Sequence, residues 1–424
     1  MPTAPSKRPL LAQRDFSALW WGQFISIFGD RLNYLALGGM LLHHTGNFQN
    51  AKQSSLLLGV LGNVMLAPVL LFAPFAGPWL DRWNLKRTLV ISDSVRALLV
   101  LFIPLAYSLT NSVVPVFAIV FLLFTCNVFF LPAKSALTPT LVSAPQLLAA
   151  NTLLSMAGIA ATALGALSGG WVVDHWGWGT ALYIDSATYL VSVATLSMLR
   201  DHSESHSSAP PVTLRGYFRE IGEGLMVVRR SPAVGLALTA LGAVWVGGGF
   251  LQVAGNQHIQ RAARDLAGME RVGILMAVLG VGSGLGTWWV NGPGRRVPQP
   301  LLLGLGLLLA GGWMVGFAVS SRFAVFAIAG FLIGLCIAPC FVITETLLQQ
   351  GADPNQRGRV FSLRDFAMRV GFQLAILVAG FMTPLLGTTP TLLVAAGVIA
   401  TAGGLSILWG RRSPGLNRFG ATHS

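Results

Sequence analysis

Twelve apolar runs, each of bilayer length and each closed by a short polar stretch, leave this chain little choice of fold. They fall at about 16–43, 54–79, 88–109, 113–133, 147–173, 179–199, 233–254, 269–290, 301–319, 323–345, 361–385 and 391–409. Crossing a hydrocarbon core takes roughly 20 apolar residues in a helix. Lipid offers no hydrogen bonds, so a spanning backbone must satisfy itself as a helix or a closed barrel. Runs this long, without strict alternation, select helices. The composition agrees: 54% of the chain is hydrophobic and only 10% is charged, against about 25% charged in a soluble domain. The expected fold is an all-α membrane protein.

The net charge of +13 is not the footprint of a nucleic-acid binder. The basic residues stand singly or in small groups between the apolar runs. With the N-terminus inside, twenty of the 28 Lys and Arg fall on inner loops and tails. Five fall outside, and Arg31, Arg96 and Arg369 lie within runs, with Arg271 and Arg364, close to the starts of their runs, counted with the adjoining outer and inner loops. That asymmetry is the positive-inside pattern, so both termini are expected in the cytoplasm and the protein in the plasma membrane. Cys126, Cys336 and Cys340 all sit in apolar runs. Their spacing gives no disulfide framework and no metal site.

The longest central polar stretch, 200–215, is rich in Ser and Pro and reads as a linker. After it, residues 214–230 set Leu225 and Val228 against Arg219, Arg229 and Arg230, as a helix on a membrane face would. The expected organisation is a cytoplasmic N-terminus at 1–15, a six-helix bundle at 16–199 and a linker with an interfacial helix at 200–230. A second six-helix bundle at 231–410 and a cytoplasmic tail at 411–424 complete it.

Between the second and third runs the chain reads Gly77-Pro78-Trp79-Leu80-Asp81-Arg82-Trp83-Asn84-Leu85-Lys86-Arg87. This resembles the loop motif between helices two and three of the major facilitator superfamily, G-x-x-x-D-R-x-x-x-K/R-K/R. Gly77, Asp81, Arg82, Lys86 and Arg87 occupy the matching positions. The stretch 291–296 repeats the Gly-Pro pair but places Arg296 where Asp81 stands, a degenerate second copy. Further along, Pro139 to Asn151, Gly22 to Asp30, and Gly358 to Phe361 are similar to the branch that includes macrolide-efflux and siderophore exporters. Gly165-Ala166-Leu167-Ser168-Gly169-Gly170 partly matches that superfamily's antiporter motif, G-P-x-x-G-G, with Ala166 in place of the proline. The same glycines also suit plain close helix packing. The resemblance implies two related, pseudo-symmetric six-helix halves with a cavity where they meet.

Charges inside the membrane need a reason, since an acid at a helix centre costs about 2.5–3.5 kcal/mol on insertion scales. Asp30 lies about 14 residues into the first run, roughly 21 Å at the helical rise. Asn33 shares its face. A carboxyl at that depth is suited to taking a proton from one side and giving it up on the other. The competing reading is a fixed ion pair with Arg31 or Arg96. Asp93 and Arg96 are three apart and are expected to pair along one face. Asp365 and Arg369 are four apart. These four, with the Asp81 loop, are expected to form a cytoplasmic gate that latches the two halves. Asp185 and Glu345 are expected to reach water near opposite ends of their runs.

The function implied is a secondary transporter that exports small amphipathic, drug-like or macrolide-like molecules by alternating access, with a proton gradient and no cofactor. Substrate-cavity candidates by the family's architecture are Gln23, Asn33, Asn127, Trp245, Gln252 and Glu345. The expected partners are a small-molecule substrate and membrane lipid, with no nucleic acid, and the protein is expected to be a monomer. A lysophospholipid or siderophore exporter of the same fold is an alternative, as is a non-transporting sensor or scaffold. No H-E-x-x-H, G-x-S-x-G or nucleotide-binding loop occurs in the chain, so an enzyme is not expected.

Overall fold

The computed structural model describes residues 9–46, 51–80, 83–143, 146–200, 214–262, 268–291, 293–351 and 357–412. Among these residues the chain is helical and contains no strand. The helices are α1 (Arg14–His44), α2 (Ala51–Leu80), α3 (Leu85–Thr110), α4 (Val114–Leu141), α5 (Leu147–Trp176) and α6 (Trp178–Ser197). Then come α7 (Leu214–Arg230), α8 (Pro232–Phe250), α9 (Asn256–Ala262), α10 (Gly268–Asn291) and α11 (Gln299–Val319). The last three are α12 (Phe323–Gly351), α13 (Arg357–Leu386) and α14 (Thr388–Arg412). Each of the twelve apolar runs coincides with one of these helices, the seventh extending from α8 through a π-helical segment, Leu251–Gly255. The chain is an all-α membrane protein of the twelve-helix type.

Nine of the described helical spans are long and apolar enough to cross a bilayer. α1 and α6 are not among these nine, although both have the length. Each carries a stripe of polar residues inside its apolar run, and those stripes build the site described below. α3 shows the sorting plainly. Ile91, Val95, Leu98, Phe102 and Leu105 are exposed, while Ser92, Asp93, Arg96, Val100 and Ile103 are buried. The exposed face is apolar at helical spacing and the covered face holds the charges. That inverts the pattern of a soluble helix and suits a face turned to lipid.

The helices gather into two compact units. The first comprises residues 1–44 and 64–213, the second residues 45–63 and 214–424. In the first, α1 packs against α5 and α6, and α3 against α4 and α6. In the second, α10 packs against α12, α11 against α12 and α14, and α8 against α12, α13 and α14. The start of α2 thus falls with the second unit, away from the bundle that its sequence position implies. Glycine makes this contact. A Cβ at Gly59 would stand 3.2 Å from the Gly380 Cα, so α2 and α13 meet backbone to backbone. The Gln373 side chain donates to the Asn63 carbonyl at 3.0 Å in the same contact.

Helix termini are settled by local chemistry. Asn84 caps α3, its Oδ1 accepting from the Arg87 backbone N–H at 2.9 Å. Asn111 ends the same helix in the left-handed region, and its N–H donates to the Tyr107 carbonyl. α7 packs on α13, where Glu223 pairs with Arg359 at 2.9 Å.

Candidate functional site

The site is a polar seam in the first unit where α1, α3 and α6 face one another. On α1 the residues Gln23, Ser26, Asp30 and Asn33 recur at helical spacing and fall on one side. On α6 the residues Asp185, Thr188, Tyr189 and Ser192 do the same. α3 contributes Asp93 and Arg96. Gln23, Ser26, Asn33, Asp93, Arg96, Asp185 and Ser192 are all buried, and Asp30 is half-buried.

Two helices can bring carboxyls this close only if one gives up side-chain volume. Gly29 does so on α1. A Cβ there would overlap the Thr188 hydroxyl and the Asp185 carboxyl. The contact therefore requires glycine, and it seals the Asp185 side chain against the α1 backbone.

Each acid is held differently. Asp30 accepts a hydrogen bond from the Tyr189 hydroxyl at 2.5 Å. Among the described residues it makes no ion pair with Arg31 or Arg96. Asp93 lies beside Arg96, with Oδ1 to Nη2 at 2.6 Å, and its Oδ2 accepts from the Ser192 hydroxyl at 2.6 Å. The Asp93–Arg96 contact is close but poorly aligned for hydrogen bonding, so it acts mainly through charge. The Arg96 guanidinium also stands 4.3 Å from the Phe130 ring centre and 4.9 Å from that of Tyr189. These faces stabilise a cation in a dry interior. Asp185 is held by neutral partners: Asn33 Nδ2 donates to Oδ2 at 2.8 Å, and the Thr188 hydroxyl oxygen lies 3.3 Å from Oδ1.

Tyr189 is the joint of this network. Its hydroxyl contacts Asp30 on α1, while its ring lies beside Arg96 on α3. A change of charge at Asp30 is therefore one side chain away from the Asp93–Arg96 pair.

Several expected residues take other places. Asp185 does not reach interfacial water; α1 and α6 cover it completely, because Gly29 lets them close over it. Gln23 and Asn33 are buried and hydrogen-bonded within the first unit. Gln23 accepts from the Lys134 ammonium at 2.9 Å, and Asn33 is spent on Asp185. Lys134, one residue beyond the run expected at 113–133, lies inside α4, which runs on to Leu141. Asn127 is half-buried in the same helix.

In the second unit, Glu345 forms an ion pair with Arg364. Asp365 also pairs with Arg364, at 2.8 Å, rather than with Arg369 four residues on. Arg364 lies between the two acids and gathers both. Trp245 packs edge-on against Phe372 at 5.4 Å between ring centres. Gln252 sits in the π-helical segment, where the extra residue per turn shifts the face that follows.

Of the loop motif, Asp81 and Arg82 lie outside the described residues, and Gly77 is in the last turn of α2. The Lys86 ammonium donates to the carbonyl of Leu199, just past the end of α6. A cation at a helix C-terminus is favourable there. Arg87 is exposed. The glycines of 165–170 serve packing: a Cβ at Gly165 would lie 2.5 Å from the Phe28 carbonyl oxygen of α1.

Sequence reading passed over Tyr189 and Ser192 and placed Lys134 and Asp185 wrongly. The signal was present in α6, where polar residues at 185, 188, 189 and 192 mark one face of an apolar run.

The profile of the Major Facilitator Superfamily matches residues 19–314. An uncharacterized MFS-type transporter of Mycobacterium tuberculosis is 26% identical over 405 residues, covering 92% of this chain and 89% of the relative. Macrolide efflux protein A of Streptococcus pyogenes is 24% identical over 402 residues, covering 91% and 93%. Among solved structures, the peptide transporter POT in complex with sulfate superposes with a TM-score of 0.71 at 14% identity, covering 98% of each chain.

Proposed function

This chain belongs to the major facilitator superfamily, and on that premise we propose that it exports small amphipathic molecules in exchange for protons. The observation that carries the proposal is Asp30, a half-buried carboxyl in a spanning helix, whose direct partner is the neutral Tyr189 hydroxyl, with Arg96 and Lys134 near enough to act on it through charge alone. A carboxylate fixed in a tight ion pair would resist protonation. The Asp30–Tyr189 bond is instead a single contact between two helices, and a change of charge at the carboxyl acts on it directly. The similarity to a macrolide efflux protein supports a drug-like cargo.

The proposed cycle makes use of these contacts. Ionised Asp30 accepts from Tyr189 and draws the phenol toward α1. Protonation removes the charge that holds this bond. Tyr189 then relaxes toward Arg96, and the Asp93–Arg96 pair feels the change. Proton binding thereby favours one conformation, and cargo binding favours the other, as alternating access requires. A ligand shifts such an equilibrium only by its differential affinity for the two states. In this proposal Asp30 is the group on which the proton acts.

The test is exchange in proteoliposomes of the purified protein. Labelled macrolide, a lipophilic cation and a lysophospholipid are each loaded inside, and efflux is followed with and without a proton gradient. Gradient-dependent efflux of the first two supports the proposal. Efflux of the lysophospholipid alone assigns a lipid cargo. No exchange of any of them overturns the transport of amphipathic molecules.

A further inference from the structure

We propose that Asp185 is a second proton-binding site, and that it carries its proton in the conformation described here. The contacts of the carboxyl are the clue. It is fully buried. Oδ2 accepts from Asn33 Nδ2 at 2.8 Å. Oδ1 lies 3.3 Å from the Thr188 hydroxyl oxygen. That hydroxyl has a single proton to give, and the backbone carbonyl of Asp185 stands nearer to it, at 2.7 Å. Once Thr188 donates to the carbonyl, its oxygen offers Oδ1 only lone pairs. Two such oxygens attract each other when the carboxyl itself supplies the hydrogen. The acid form satisfies every contact: Oδ2 accepts from Asn33, and Oδ1–H donates to Thr188.

The surrounding charges agree. α1 brings Asp30, whose Oδ1 is engaged by Tyr189 of α6. Arg31 faces α5, where a Cβ on Gly165 would meet its own Cβ at 3.0 Å. α3 brings Asp93 and Arg96, and these stand against each other at 2.6 Å. α5 has no charged residue before Asp174, close to its C-terminal end. Asp185 makes no ion pair among the described residues. A buried carboxylate whose hydrogen-bond partners are neutral and which has no paired counter-ion takes up a proton instead of staying charged. Gly29 keeps the place dry, because α1 has no side chain there to hold the two helices apart. The proton comes from a hydronium ion of the solvent: one O–H bond forms on the carboxyl as one hydronium O–H bond breaks, leaving a water molecule.

Occupancy of Asp185 rests on the α1–α6 contact. Only a part for this proton in export rests on the antiport reading. The experiment keeps the two apart. Infrared spectra of the full-length protein with carbon-13-labelled aspartate, in lipid nanodiscs at neutral pH, report the carbonyl stretch of any protonated Asp. The expected result is such a band in the wild type, kept in Asp30→Asn, lost in Asp185→Asn, and displaced in Thr188→Val, where the acid has lost its acceptor. If Asp185→Asn does not fold, displacement of the band in Thr188→Val decides. The site is overturned by a wild type without the band, or by a band that ignores both substitutions. A band that behaves as expected in a protein that moves no protons with cargo upholds the site and overturns antiport alone.

Discussion

The Tyr189 hydroxyl spans the gap from α6 to the Asp30 carboxylate of α1 at 2.5 Å, while its ring rests 4.9 Å from the Arg96 guanidinium of α3. One side chain thus joins the membrane's half-buried acid to a fully buried ion pair. Tyr189→Phe keeps the ring and removes the donor. A hydrogen bond to a charged group contributes about 1.5–3 kcal/mol. Thermal unfolding in detergent should fall by that order, and cargo exchange should slow with cargo affinity preserved. Unchanged exchange in the Phe variant would remove Tyr189 from the cycle.

Asp93 and Arg96 are buried together, so losing one strands the other. Breaking such a pair costs about 3–5 kcal/mol. Asp93→Asn and Arg96→Met should each destabilise the protein by that order. The double variant should recover much of the loss, because no charge is left uncompensated. A double-mutant cycle on the unfolding midpoint measures the coupling. Additive losses would show that the two side chains are stabilised separately.

Gly29→Ala should destabilise by about 1–3 kcal/mol, the usual penalty of overpacking, since the new methyl would overlap Thr188 and Asp185. Gly397→Ala in α14 is the control, with nothing within 4 Å of the added carbon. There the helix should gain about 0.5–1 kcal/mol from lost chain entropy. Equal melting temperatures for the two variants would mean that α1 and α6 are not in close contact.

Lys86→Gln should lower stability by about 0.3–1 kcal/mol, the value of a cation at a helix terminus. Lys86→Arg should retain most of it, because the positive charge remains beside the Leu199 carbonyl at the end of α6. Differential scanning fluorimetry of both variants against the wild type reads the difference.

What the sequence could show followed the range of each interaction. The helices were legible because bilayer length and continuous apolarity are properties of a single run. The Asp93–Arg96 contact was legible for the same reason, since three residues on one helix fix its geometry. Asp30 stood out by depth alone. The partners across helices were hidden. Tyr189 and Asp30 are 159 residues apart, and nothing local announces that they meet. Asp185 was misplaced because its position near a run's outer end implied water, while its true surroundings were set by a glycine on another helix. Gln23 and Asn33 were assigned to cargo because polar residues at spanning depth invite that reading. In the structure they hydrogen-bond to Lys134 and Asp185. Arg364, which gathers Glu345 of α12 and the adjacent Asp365, was counted with a loop because it stands near the start of its run, and its partner on α12 is not visible in the local sequence.

Whether Asp30 couples proton and cargo is tested most directly by one measurement. Asp30→Asn is reconstituted in proteoliposomes with a pH-sensitive dye inside, and cargo-driven proton movement is recorded beside cargo exchange at zero gradient. The expected result is a folded protein that still exchanges cargo but moves no protons with it. Cargo-driven proton movement at the wild-type rate would contradict the coupling role of Asp30.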